Sequence, residues 1–276
     1  MSKKQKALLV SLLGAFLAAF FGGELGEMEF SEVYLPPLTV DKWSQVVTAS
    51  PQEQDIHSDY PTYPPPAESP PEEAAPALPS FSIDDLPAYG GFPYTIVHGN
   101  EPYFTEEELS TAAGYEYYAP LDDLGRCGVT MACVGPETVP TQERGAIGQV
   151  KPTGWQTVKY DIVDGKYLYN RCHLMGYQLT GENANRLNLI TGTRALNVEG
   201  MLPFENMVAD YVEDTGNHVL YRVTPIFIGD ELLARGVLME GRSVEDEQIL
   251  FCVYAFNAQP GVDIDYATGE SSLAEE

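Results

Sequence analysis

Between residues 35 and 87, proline and acidic residues displace almost everything from which a core is built, as in Tyr60-Pro61-Thr62-Tyr63-Pro64-Pro65-Pro66 and Glu68-Ser69-Pro70-Pro71-Glu72-Glu73. Each proline fixes its own φ and removes a backbone donor, and few branched apolar side chains are left to bury. Residues 24–82 are therefore expected to be a disordered, semi-rigid Pro/Glu-rich spacer, and folding is confined to residues 83–276. That is enough chain for one ordinary core.

Upstream of the spacer, Lys3, Lys4 and Lys6 precede a run over residues 7–21 that is apolar except for Ser11 and Gly14. A basic stretch followed by an apolar one is the pattern of an export signal. Spanning a bilayer takes about 20 apolar residues, so this run is short for an anchor. Phe20-Phe21 also stands where a cleavage site wants small residues. Residues 1–23 thus read as a signal peptide or a membrane anchor. The expected location is extracytoplasmic, either secreted or tethered to the cell membrane by residues 7–21, with membrane contact only through that segment if it is uncleaved.

Periodicity predicts the domain's elements. Residues 93–98 are β-prone, and Thr105-Glu106-Glu107-Glu108 has the form of a capping box that opens a helix. Val158, Tyr160 and Ile162 alternate on one face of a run over 156–163, Asp164-Gly165 offers a turn, and residues 166–173 are expected to return as the partner strand. Phe204, Met207, Val208, Tyr211 and Val212 form a helical stripe, with Pro203 suited to its first turn and Gly216 placed to stop it. Runs over 219–228, 233–239 and 249–256 complete an α+β reading: a mostly antiparallel sheet carrying a hairpin that leads into a helix. Cys127, Cys133, Cys172 and Cys252 lack the spacing of a zinc site and read as structural. Cys127 and Cys133 could pair only if the loop between them folds back.

The net charge of −26 argues against a polyanionic partner. Residues 93–276 alone hold 28 acidic against 11 basic residues, a balance of −17. Seven of those bases (Arg144, Lys151, Lys159, Lys166, Arg171, Arg186 and Arg194) fall between residues 144 and 194 with three acids, so this stretch is locally +4. Either its charges pair with neighbouring acids, or it lines an electropositive cleft.

Of four histidines, His57 lies in the spacer, and His98 and His218 flank predicted elements; these three read as structural. His173 stands in Tyr169-Asn170-Arg171-Cys172-His173. On a strand, Arg171 and His173 share a face and Cys172 takes the other, which separates thiol from imidazole. A base beside a guanidinium is what phosphodiester hydrolysis requires.

This string lies within Leu168 through Leu174, and three others accompany it in order: Pro152-Thr153-Gly154-Trp155 before it, and Asn185-x-x-Asn188-Leu189 and Thr193-x-x-x-Asn197 after it, followed by the Pro203 helix bearing Glu205. With them, the segment from about residue 121 to 266 resembles the DNA/RNA non-specific endonucleases, the ββα-metal or His-Me finger family. The resemblance implies hydrolysis of DNA and RNA with little sequence preference, dependent on Mg2+ with Mn2+ as a substitute. It implies His173 as general base and Asn197 as the single protein ligand of the ion, whose remaining positions are mostly water. Glu205 would hold metal-bound water, Asn188 would support the site, and Arg171 and Arg144 would grip phosphate. The family's Asp-Arg-Gly-His is here Asn-Arg-Cys-His, so Asn170 supplies no charge. Cys172 is expected to add bulk facing the core, away from the site. Asn197 and Glu205 would lie within about 80° on one helix, but Gly200 and Pro203 are expected to interrupt it. Two rival readings are a non-catalytic surface module that keeps the fold to bind nucleic acid or a partner, and a hydrolase using Cys172, which thiol alkylation would inactivate.

Overall fold

The computed structural model describes residues 81, 88–111 and 113–275. The stretch expected to be a signal peptide or membrane anchor, and nearly all of the expected spacer, lie outside them. The elements in chain order are β1 (Tyr94–Ile96), β2 (Glu116–Tyr118), β3 (Thr130–Val134), β4 (Tyr169–His173), α1 (Tyr177–Thr180), β5 (Leu189–Thr193), α2 (Leu202–Thr215), β6 (Val219–Ile226), β7 (Gly236–Ser243), β8 (Leu250–Phe256), β9 (Val262–Ile264) and β10 (Ser271–Leu273). A six-stranded sheet runs β1-β8-β7-β6-β3-β2 with every neighbouring pair antiparallel, and β4-β5 and β9-β10 form separate ribbons. This is the α+β, mostly antiparallel architecture that the periodicity predicts.

The central strands β6, β7 and β8 are buried along almost their whole length because the sheet is covered on both faces. On one face Tyr221, Met239 and Phe251 pack with Phe204, Val208 and Val212 of α2 and with Cys172 and Ile190 of the β4-β5 ribbon. On the other, Phe104, Leu109 and Tyr115 cover Met131, Cys133 and Leu220. Cys127 and Cys133 fall in these two different clusters, and all four thiols are free.

The predicted stripe on α2 is the buried one, and each fully buried side chain of this size contributes about 1.5–3 kcal/mol of transfer free energy. Gly216 ends the helix at φ 71°, where a side chain would be strained, and its N–H returns to the Val212 carbonyl at 2.9 Å.

Three expectations change. First, the partner of the His173 strand is β5, which follows it, and not 156–163, which precedes it; the register sets Tyr169 against Thr193 and His173 against Leu189. Residues 156–163 keep only a single bridge, Lys159 to Tyr167. The alternation fails at its end: Ile162 is 58% exposed, and Val163 goes inside because the chain already turns from Tyr160. Second, the Thr105/Glu108 capping box forms reciprocally, at 2.8 and 3.2 Å, but opens only a three-residue 3-10 turn. Third, Gly200 and Pro203 do not break the chain away from α2. Leu196–Met201 is a π-helical turn that runs straight into it, and such wide turns concentrate at functional sites. Pro203, which has no N–H to give to the preceding turn, fits in the first turn of α2.

Candidate active site

His173 is the last residue of β4 and is buried, with 6% of its surface exposed. Its Nε2 lies 2.7 Å from the Asn183 carbonyl, and its Nδ1 lies 3.2 Å from an Arg144 Nη2. A carbonyl only accepts and a guanidinium only donates. The proton is therefore on Nε2, and Nδ1 presents its lone pair. Burial, reinforced by the Arg144 charge, lowers the imidazole pKa to about 4. The ring is neutral at physiological pH, in the protonation state of a base.

The loop carrying Arg144 is tied down at several points. The Tyr177 hydroxyl donates to the Gln142 carbonyl at 2.7 Å. Arg171 donates from Nε to the Val150 carbonyl at 2.5 Å and from Nη2 to the Gly148 carbonyl at 2.8 Å, with its guanidinium 4.1 Å above the Trp155 ring. Strand parity does put Arg171 beside His173, but those donors brace the loop that delivers Arg144. Trp155, from the Pro152-Thr153-Gly154-Trp155 string, is the platform for this brace.

Asn188 is fully buried, and its amide clasps one residue at both ends: its Oδ1 accepts from the Met175 N–H at 2.7 Å and its Nδ2 donates to the Met175 carbonyl at 2.9 Å. It positions the turn directly after His173 and leaves no amide group for chemistry. Asn197 sits in the π-helical turn, whose start is capped by Thr193 Oγ1 accepting from the Leu196 N–H at 3.0 Å. The Thr193-x-x-x-Asn197 spacing is thus the cap and the residue it presents. Asn197 Oδ1 accepts from the Cys172 thiol at 3.1 Å. Cys172 does face the core, with none of its surface exposed, but that face also carries Asn197, because α2 and its leading turn pack there.

Glu205 is buried against Gly176, where a β-carbon would stand 2.8 to 3.0 Å from the carboxylate. Burial pushes its pKa up to about 8 despite the opposing charge of Arg144. It has no ion pair among the described residues. The structure thus brings Arg144 onto His173, sets Glu205 within electrostatic reach of Arg144 and of Cys172, and joins Cys172 to Asn197. No hydrogen bond links His173 or Glu205 to Asn197 among the described residues.

The basic stretch is partly neutralised. Lys166 pairs with Asp161 and Arg194 with Asp164, both at the surface. Arg144, Lys151 and Arg186 make no ion pair among the described residues, so an unneutralised positive charge remains over the buried histidine.

A family model described as DNA/RNA non-specific endonuclease matches residues 106–245, half of the chain. The chain belongs to this family. A deoxyribonuclease from Streptococcus dysgalactiae subsp. equisimilis is 35% identical over 108 residues, which is 37% of this chain and 32% of that protein. The chain therefore spans about a third of that relative. NucA from Streptococcus agalactiae, solved with a magnesium ion bound, shares the fold at a TM-score of 0.57 and 24% identity, covering 67% of this chain and 91% of that one. The Sda1 nuclease, solved with a bound zinc ion, matches at a TM-score of 0.53 and 28% identity over 60% of this chain and 83% of that one.

Two contributors to the candidate site carry no sequence signal. Asn183 acts through its backbone carbonyl, which any residue possesses. Asn257 is fully buried and ties β5 to the main sheet by accepting from the Thr193 N–H and donating to the Thr191 and Ala234 carbonyls. It lies more than sixty residues downstream, so only folding shows the link.

Proposed function

We propose that this domain is a divalent-metal-dependent endonuclease that hydrolyses phosphodiester bonds in DNA and RNA with little sequence preference. The observation that carries the reading is His173: buried, neutral, with its tautomer fixed by Asn183 and its Nδ1 lone pair directed at Arg144. A neutral imidazole held in this way accepts a proton from water as the water attacks phosphorus. The guanidinium now on Nδ1 stands where that water belongs, and an incoming phosphate offers it a stronger, bidentate partner. Transfer of Arg144 from imidazole to phosphate therefore frees the base as substrate arrives. Arg171 supports this exchange by holding the loop at Gly148 and Val150.

Two donors suit a hard cation: the amide oxygen of Asn197, and in Glu205 a buried carboxylate that feels the charge of Arg144 but lacks an ion-pair partner among the described residues. Asn197 would hold Mg2+, or Mn2+ in its place, and Glu205 would accept hydrogen bonds from its water. What the ion supplies when bound is charge neutralisation at the phosphate and the leaving 3′ oxygen. Residues 1–23 and 24–82 we read as an export or anchoring segment and a spacer, so that the domain acts outside the cytoplasm.

The test is cleavage of supercoiled plasmid and of RNA with Mg2+, with and without EDTA, by wild type and His173→Ala. Loss of cleavage on chelation and in the variant is expected. If wild type leaves both nucleic acids intact at large enzyme excess, the fold serves as a binding module instead.

A further inference from the structure

The geometry points to Cys172 as a positioning residue for Asn197: its thiol holds the amide oxygen in the orientation from which it meets the metal ion. The inference rests on Asn197 being the ligand, and it concerns the position at which this chain replaces the glycine of the family string.

Three observations carry it. The Cys172 Sγ is 3.1 Å from Asn197 Oδ1, and the thiol is the only hydrogen-bond partner of that side chain among the described residues. Cys172 has no exposed surface, so no bulk water competes with the amide oxygen for the thiol proton. Finally, the neighbouring strand leaves space for it. A β-carbon on Gly192 would stand 2.7 Å from the Cys172 Cβ and 3.2 Å from its Sγ, so the side chain at 172 and the glycine at 192 fit together as a pair.

Asparagine oxygen and nitrogen are nearly isosteric, and rotating the amide by half a turn would present a donor where the ion needs an acceptor. A donor buried beside the amide breaks that symmetry. The π-helical turn sets where Asn197 starts, and the thiol sets which atom faces it. Met201 Sδ, 3.4 Å from the same sulfur, is a second acceptor for the one S–H proton, but a weaker and more distant one than the amide oxygen at 3.1 Å. Glycine at position 172 offers no such donor, so orienting the amide would fall to other groups.

The test uses the full chain stripped of metal and titrated with Mn2+ alone, by calorimetry, without nucleic acid. Cys172→Ala should weaken Mn2+ binding about tenfold, while Cys172→Ser, which keeps a donor, should stay within about twofold of wild type. Melting temperatures recorded in parallel should fall for both variants, separating packing from positioning. If Cys172→Ala folds poorly, the side-chain amide resonances of Asn197 in metal-free wild type and Cys172→Ser serve instead: they should coincide and remain sharp, and broadening in the serine variant would overturn the proposal. Equal binding by wild type and Cys172→Ala overturns it, as does an equal loss in both variants. Asn197→Ala distinguishes the two levels of failure. If it abolishes binding while Cys172→Ala does not, only the role of Cys172 falls; if it binds as wild type does, the ligand reading falls and takes this proposal with it.

Discussion

Arg222 and Glu240 face each other across β6 and β7 with every charged atom engaged, whereas on the opposite face of the same sheet Arg144, which rests on His173, and Glu205 make no ion pair among the described residues. Arg222 donates from Nε and Nη2 to Glu240 at 2.7 and 2.9 Å and from Nη1 to Glu108 at 2.8 Å, and lies 4.8 Å above the Phe104 ring. Glu240 also accepts from the Tyr103 N–H at 2.7 Å. Around the candidate site, Arg144 rests on a neutral ring, and among the described residues Glu205 has no ion-pair partner and the buried Tyr221 hydroxyl and Asn170 Nδ2 have no hydrogen-bond partner. Burying a charge costs several kcal/mol unless it is compensated. The first cluster is compensated within the chain and fastens residues 103–108 to the sheet. The second is left open to groups from outside, which on the proposed function are a phosphate and a divalent cation.

The widest separation between the two clusters is expected from His173→Ala. Loss of a general base should lower kcat about 10²–10⁴-fold, while the melting temperature falls only by what the one hydrogen bond to Asn183 and the ring's packing contribute. Plasmid nicking rates beside a thermal melt check this, and a loss of less than about tenfold would dissociate the histidine from the chemistry. The counterpart is Glu240→Ala, which strands Arg222 with no exposed surface and should cost about 3–5 kcal/mol in urea unfolding. The activity of the molecules that remain folded should be unchanged. A cost near zero would mean that the compensated cluster is not built as the distances suggest.

Arg144→Ala should sharpen the contrast by removing a positive charge from a buried imidazole. The His173 pKa rises from about 4 but stays below the ordinary histidine value, since burial is the larger cause. The acid limb of the pH–rate profile moves up accordingly. kcat/KM should fall about 10–100-fold, the worth of a charge-assisted contact in the transition state, with Lys recovering only part because it cannot bind bidentately. An unmoved acid limb would show that the 3.2 Å contact does not act on the base.

The compensated cluster and the open one were unequally legible in the sequence. The helical stripe of α2, its glycine stop and the strands β6 to β8 follow from period and propensity, because each is a local pattern with one buried face. The pairing of β4 with β5 does not follow: a fifteen-residue connection hides it, while the nearer run over 156–163 imitates a strand. Parity along β4 placed Arg171 and His173 correctly on one face but could not show that Arg171 reaches the Gly148 and Val150 carbonyls. Nor could it show that the face opposite His173 is the one on which Asn197 packs. The Thr105/Glu108 box was visible as a cap, yet its larger role, delivering Glu108 to Arg222, joins residues 114 apart.

Glu205 tests the open cluster from its other side. With its pKa pushed up to about 8, it keeps its proton at neutral pH in the metal-free protein. The stability linked to that proton is fully present below the ordinary carboxyl range and is lost as pH rises through about 8. A divalent cation favours the ionised form, so binding Mg2+ at pH 7 should release close to one proton. Calorimetry in two buffers of different ionisation enthalpy reads this directly. Glu205→Gln should release none, and equal release in both proteins would place the proton elsewhere.

The smallest effect belongs to a third, partly exposed cluster that lies between the two extremes. His218 directs Nδ1 at Glu245 at 2.5 Å and Nε2 at Glu137 at 3.2 Å, joining the chain just beyond β3, just before β6 and just beyond β7. The Glu245 hydrogen bond raises the imidazole's pKa, with the charge of Glu137 contributing. A raised folded-state value means that the clamp stabilises fully below the ordinary histidine pKa of about 6.5 and is lost as pH rises through the higher folded one. Side-chain exposures of 39% and 42% at the two glutamates leave solvent to screen the pairs, so the contribution is at most about 1 kcal/mol. Wild type should therefore lose more melting temperature between pH 6 and pH 9 than His218→Gln does. Comparing the two proteins removes the contribution that Glu205 makes with the same sign. Parallel curves would mean that His218 is held by packing beside Gly135, where a β-carbon would stand 2.2 Å from its ring, and not by charge.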